Sequence, residues 1–135
     1  MGGLTSVARL PWPARRLAIE ALSLLPRAAL SIKRRPFLAT VGFGAVPIGA
    51  AREVDVALLG RIVAAVARRL PFRAMCFEQG LTVQRMLRRR GLPAVLHYGI
   101  DPADGMRAHV WVSLDGRIVH GGETAEEFTE VGCWG

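Results

Sequence analysis

Between Val54 and Leu70 the apolar residues Val54, Leu58, Leu59, Ile62, Val66 and Leu70 recur at helical spacing, and Pro71 stops the run. A second helix is predicted from about Met75 to Arg90. Its polar residues Glu78, Thr82, Arg85 and Arg89 fall on one face, and Cys76, Gly80, Val83 and Leu87 on the core-directed face. Gly91 and Pro93 follow in the order that ends a helix. Upstream, residues 14–31 carry Leu17, Ala21, Leu24, Leu25 and Leu30 among arginines, an amphipathic helix that Pro26 can bend. Residues 1–13, with Gly2, Gly3, Pro11 and Pro13, read as a loose start. The pattern does not order the Pro- and Gly-punctuated stretch 32–53.

Past Pro93 the period changes. Ala94 to Ile100 and Arg107 to Leu114 read as strands joined by the loop DPADG. Asp115-Gly116 is a two-residue hairpin signal, so Arg117 to His120 should return antiparallel. Thr124 with Glu127 predicts a capped, short terminal helix. The layout is α+β: a helical segment, residues 1–53, packed on a core, residues 54–135, within one compact domain.

Composition narrows the function classes. At 135 residues, 51% hydrophobic and 21% charged, the chain is long and apolar enough for one folded domain. A net charge of +7 suits an acidic partner. Aromatic residues are only 7% and do not interleave with the basic ones, which argues against nucleic acid as the partner. Cys76 and Cys133 form no CxxC pair and no metal spacing with His97, His109 and His120. No metal and no cofactor are expected, and a reduced, cytoplasmic chain is the simplest reading. The start MGGLTS fits a myristoylation pattern by chance. The Arg34-Arg35 pair and the apolar run after it imitate a twin-arginine signal, but lie too deep in the chain to be one. The run from Phe37 to Ala51 is too short to span a bilayer.

Two residues stand out for chemistry. Cys76 falls in the first turn of its helix, where backbone N–H groups and the dipole favour a thiolate and can also hold an oxyanion. His109 lies early in the strand AHVWVSL and can serve as general base and then acid. A helix-start Cys with a strand His downstream follows the logic of a Cys-His pair. For a third member, Asp115 is too far from His109, about 20 Å along the strand at about 3.3 Å per residue. Counting back from the turn puts His109 opposite Gly122 and His120 opposite Trp111, on the face of His109. Glu123 is nearest in register, and a bulge at Gly121-Gly122 would turn it toward His109. Glu123 ranks ahead of His120, and both stay open. Gln79 is an oxyanion donor on weaker grounds. Trp111 should pack beneath the site, His97 on the strand surface and Cys133 in a frayed tail. The run Arg88-Arg89-Arg90 reads as a solvated helix end, suited to docking an acidic partner.

The segments LPFRAMCFEQGLTVQRMLRRRGLPAVLHYGI and AHVWVSLDGRIVHGGE together resemble the peptidase of lasso-peptide biosynthesis, a member of the transglutaminase-like superfamily of cysteine proteases. The resemblance covers about residues 54–128. It implies a transglutaminase/papain-like core, a Cys-bearing helix packed on a small antiparallel sheet. It also implies an activity: removal of the leader from a ribosomally made precursor peptide. The core peptide would then pass to an asparagine-synthetase-like cyclase. Family members use a Cys-His-Asp triad, which makes Cys76 the nucleophile and His109 the base. The family's acid falls at about Gly121, where this chain offers only His120, Gly121, Gly122 and Glu123. The N-terminal region is too short and too helical for the family's leader-recognition domain, so a separate leader-recognition protein is the expected partner.

Overall fold

The computed structural model describes residues 7–135. The expected loose start is therefore described only from Val7, and the MGGLTS motif lies outside the described residues. Helix α1 (Trp12–Arg34) runs unbroken through Pro26 and extends beyond the predicted 14–31 at both ends. Leu17, Ala21, Leu24, Leu25 and Ala28 form its buried stripe. The stretch left unordered in the sequence contains helix α2 (Phe37–Gly44), followed by an extended segment that leads into helix α3 (Val56–Arg69). Asp55 caps α3, accepting a hydrogen bond from the Leu58 N–H at 3.0 Å. Leu59, Ile62, Val63 and Val66 face the core.

Helix α4 (Cys76–Arg88) is the central element. It packs against all three other helices and against the sheet. At Gly80 the helix lies so close to the sheet that a Cβ would stand 2.7 Å from Val110 Cγ1 and 3.0 Å from Leu96 Cδ1. Part of the polar face is withdrawn from solvent, at Thr82 and, against α2, at Arg85. Thr82 is fully buried, its hydroxyl donating to the Glu78 carbonyl at 2.9 Å. Arg85 donates to the Phe43 carbonyl at 3.0 Å and lies over the Phe43 ring.

The Arg88-Arg89-Arg90 run also departs from the solvated end that the sequence suggests. Arg88 is buried, donating through Nε to the Val46 carbonyl at 2.6 Å and through Nη1 to the Ala94 carbonyl at 3.2 Å. Arg90 forms a two-pronged pair with Glu20 of α1 at 2.6 and 3.2 Å. Only Arg89 stays largely exposed. Orphan carbonyls at segment ends and a single carboxylate draw two of the three charges inward.

The sheet has four antiparallel strands in the order β3-β2-β1-β4: β1 (Val95–Ile100), β2 (Ala108–Leu114), β3 (Arg117–His120) and β4 (Thr129–Trp134). The β2–β3 turn is at Asp115-Gly116, both with positive φ (52° and 80°), as a two-residue hairpin demands. The predicted terminal helix is one short 3-10 turn, Ala125–Glu127, and β4 follows it. Cys133 is therefore a strand residue opposite His97, not part of a frayed tail. The last strand is held by its backbone ladder to β1, by the Gln84 side chain donating to the Trp134 carbonyl at 2.6 Å, and by Trp134 packing on Phe37. Thr, Val and Trp are strand-favouring residues, and pairing with β1 decides the end of the chain. Among the described residues from Trp12 onward, the fold is α+β, with helices α1 to α4 and one antiparallel sheet around a continuous core. Among the described residues, no helix is long and apolar enough to cross a membrane.

Candidate functional site

A cleft of about 470 Å³ opens where the start of α4 meets β2, the end of β3 and one face of α3. Its lining includes Cys76, Gln79, His109, His120, Gly121 and Glu123, so the fold brings every residue singled out for chemistry to one place. Cys76 is the first residue of α4. The first hydrogen bond closing that helix runs from the Gln79 N–H to the Met75 carbonyl at 3.0 Å. The N–H groups of Cys76, Phe77 and Glu78 therefore have no acceptor within the helix. Glu78 folds back and accepts from the Met75 N–H at 3.2 Å, which secures the chain at the entry.

The sequence reading expects the helix terminus to lower the thiol pKa. The net effect is the reverse. Burial pushes the Cys76 thiol above its ordinary value, and the nearby Glu78 carboxylate adds to the rise. The Val110, Phe77 and Cys76 backbone groups pull the other way without overcoming it. A thiol held protonated in this manner needs a base beside it before it can act as a nucleophile.

His109 lines the same cleft. Its Nε2 lies 2.7 Å from the Gly121 carbonyl oxygen. A carbonyl only accepts, so Nε2 carries the proton and Nδ1 is the nitrogen left to take one. Trp111 and Phe128 pack near the ring, with centroids 6.0 and 5.2 Å away.

Gly121 can offer this carbonyl because of its conformation. Its φ is +77°, and a Cβ there would lie 2.9 Å from the Val110 carbonyl oxygen and 3.3 Å from Trp111 Cα. Position 121, where the resembled family carries its acid, has no room for a side chain. A backbone carbonyl meets the imidazole instead. Glu123 lines the same cleft but is exposed, and its carboxylate makes no hydrogen bond to His109.

His120 faces another way than the register count implies. Leu114 pairs with Arg117 and Ser113 with Ile118, as a two-residue turn requires, but Val112 then pairs with His120. Val119 is thus the extra residue of a bulge, two to three positions earlier than the bulge expected at Gly121-Gly122. The slip moves His120 from opposite Trp111 to opposite Val112, on the buried face. There its Nε2 lies 3.2 Å from Gln79 Oε1, and Gln79 Nε2 donates to the Ala74 carbonyl at 3.0 Å. Burial holds the His120 imidazole below its ordinary pKa, with a smaller lowering from His109 opposed by Glu123. His120 is thus a neutral link between β3 and the start of α4.

The sequence reading missed the α3 wall. Ala57, Gly60, Arg61 and Ala64 line the cleft across from Cys76. Their spacing puts three small residues on one helix face, a stripe visible in the sequence. At Gly60 the helix comes close to β3, where a Cβ would stand 3.3 Å from the Val119 carbonyl. Arg61, exposed at this wall, is the cationic group of the cleft.

No curated protein and no solved structure gives a match. A family model described as the transglutaminase-like superfamily matches residues 21–133, from the middle of α1 to the penultimate residue of β4. That span takes in the Cys76 helix, the His109 strand and the glycine carbonyl between β3 and the final strand. The chain belongs to the transglutaminase-like superfamily.

Proposed function

We propose that this chain is a cysteine peptidase that removes the leader from a ribosomally made lasso precursor peptide before macrocyclisation. The observation that carries the reading is the shared cleft: Cys76 opens α4, and His109 faces the same space with its Nε2 proton committed to Gly121. In the proposed reaction His109 Nδ1 takes the Cys76 thiol proton as sulfur attacks the scissile carbonyl. Free N–H groups in the first turn of α4 stabilise the oxyanion. Imidazolium then protonates the departing amine of the core peptide, and water, activated by the same ring, releases the leader from the thioester. The Gly121 carbonyl fixes the tautomer and orients the ring, the part an acid plays in the family triad. Glu123 contributes a carboxylate to the cleft without bonding to the ring. The lasso assignment rests on the sequence resemblance. It carries with it two partners, a separate leader-recognition protein and an asparagine-synthetase-like cyclase.

A second reading is favoured by the raised thiol and the side-chain-free third position. In it the same cleft holds a peptide for a partner without cutting it. One experiment divides the two. A lasso precursor peptide is incubated with the protein and a leader-recognition protein, and products are read by mass spectrometry for wild type and Cys76→Ala. Release of leader and core by wild type alone establishes cleavage and the nucleophile. Equal release by both proteins defeats the mechanism, and no release by a folded wild-type protein transfers the case to peptide presentation.

A further inference from the structure

On the open side of the sheet, away from the cleft lining, three metal-ligand side chains converge. His97 on β1 lies opposite Cys133 on β4, and Glu130 pairs at the neighbouring position with Gly99. Their donor atoms all lie within 4.8 Å of one another. In an unbroken strand, residues 130 and 133 point to opposite faces, because their separation is odd. Here the β1–β4 register shifts between Tyr98 and Gly99, leaving Val131 as an extra residue. That bulge turns Glu130 onto the face of His97 and Cys133, and bulges recur where a side chain must be re-aimed.

The histidine is also set up for ligation. Its Nε2 lies 2.7 Å from Ser113 Oγ, while Nδ1 contacts the Glu130 carboxylate within the cluster. Trp111 stacks on the ring, nearly parallel at 4° with centroids 5.6 Å apart, so the imidazole is fixed in plane as well as by hydrogen bond. A ligating histidine characteristically donates its second N–H to an oxygen that fixes its tautomer. The Glu130 carboxylate only accepts, so in the metal-free protein Nδ1–H points at it and the Ser113 hydroxyl donates to Nε2; a cation takes the place of the Nδ1 proton, the proton moves to Nε2, and Ser113 Oγ then accepts it.

We propose that His97 Nδ1, a Glu130 carboxylate oxygen and Cys133 Sγ bind a borderline-soft divalent cation of the zinc class. One nitrogen, one oxygen and one sulfur suit zinc and exclude magnesium and calcium, which take oxygen alone. Metal–ligand bonds of about 2.0–2.3 Å set tetrahedral edges of roughly 3.3–3.7 Å. Rotation of the exposed Cys133 and Glu130 side chains closes the present spacing to that range. Binding replaces the Cys133 thiol proton with the cation and releases that proton to solvent. Water completes the fourth position. The ion clips the last strand, β4, to the central strand β1.

The test uses the full chain carrying Cys76→Ala, which leaves Cys133 as the sole thiol. Cobalt(II) is titrated as a spectroscopic stand-in and then displaced with zinc. The expected result is a near-ultraviolet thiolate-to-cobalt band with visible tetrahedral bands, lost on adding zinc. Zinc, but not magnesium, should also raise the Tm. Adding Cys133→Ser should remove the charge-transfer band while circular dichroism stays native, and His97→Gln should weaken binding at least tenfold. Absence of binding by the folded Cys76→Ala protein at 1:1 to tenfold excess metal overturns the site. So does binding that is unchanged by Cys133→Ser.

Discussion

Gly121→Ala tests the claim that a backbone carbonyl takes the third position beside His109. An L-residue at φ +77° costs about 1–2 kcal/mol. The added Cβ meets the Val110 carbonyl oxygen at 2.9 Å and Trp111 Cα at 3.3 Å. Both are backbone atoms of a strand paired on two sides, so relief requires β2 or the glycine itself to move, adding about 1–2 kcal/mol. The sum is about 2–4 kcal/mol, a fall in Tm of roughly 10 °C for a chain of this size. Gly122→Ala is the matched control. Its Cβ meets only the Ile118 side chain, at 2.9 Å from Cγ2, and that side chain is exposed and free to rotate, so the cost should stay under about 1 kcal/mol. Moving the Gly121 carbonyl also releases the His109 ring, and cleavage should slow about a hundredfold at temperatures where the variant stays folded. Gly121→Asp should be no better, because the acid cannot be seated where the carbonyl now lies. Thermal melts and single-turnover cleavage read both effects. A Gly121→Ala protein that melts with wild type refutes the packing argument, and one that is destabilised but cuts at the wild-type rate refutes the orienting role.

Four further outcomes follow from the same geometry. Glu20→Ala strands Arg90, whose side chain is only 11% exposed, and should cost about 2–3 kcal/mol in urea titrations; a loss under about 0.5 kcal/mol would show the pair to be dispensable. Gly80→Ala drives a methyl into the fully buried Val110 and Leu96, so about 1–3 kcal/mol of stability should be lost, and a neutral result would mean that α4 can lift from the sheet freely. His120 has a folded-state pKa below its ordinary 6.5, so its contribution to stability is complete above about pH 6.5 and is lost progressively as the pH falls below it; the urea midpoint should drop between pH 7.5 and 5.5, and His120→Gln should flatten that drop. Because burial raises the Cys76 thiol, alkylation of the free protein should still be accelerating at alkaline pH where an ordinary cysteine has levelled off, and a fully reactive thiolate at neutral pH would contradict the burial argument.

Much of this was legible in the sequence where one physical rule acts alone. The helical spacing in α3 and α4, the change of period at Pro93 and the Asp115-Gly116 turn each depend on neighbouring residues, and the structure keeps them. The convergence of Cys76 and His109 on one cleft also follows from where those elements start. What stayed hidden depends on tertiary partners. Thr82 and Arg85 look solvent-facing, but Thr82 is buried and Arg85 is held against α2, itself unreadable among its glycines. Residues 129–134 have no period of their own and become a strand because β1 offers an open edge. The register past the hairpin was missed because one bulged residue, Val119, has no sequence mark and turns His120 to the buried face. Gly121 was visible as a gap in the family pattern, but its role is carried by a carbonyl, which every residue has.

The two ends of α4 have unequal freedom to change. At its last residue the helix is tied down by Arg88 to carbonyls of two separate segments, and just beyond it by Arg90 to α1, while Gly80 seats its middle on the sheet. Cys76 therefore stands on a bar clamped along its length, and its sulfur is not re-aimed by small substitutions around it. The opposite wall has no such ties. Ala57, Arg61 and Ala64 meet the cleft from the surface of α3, where side chains can grow, shrink or reverse charge without disturbing the core. In the proposed peptidase, selection for a different peptide would act on that wall first, so the chemistry and the choice of substrate can evolve on separate helices.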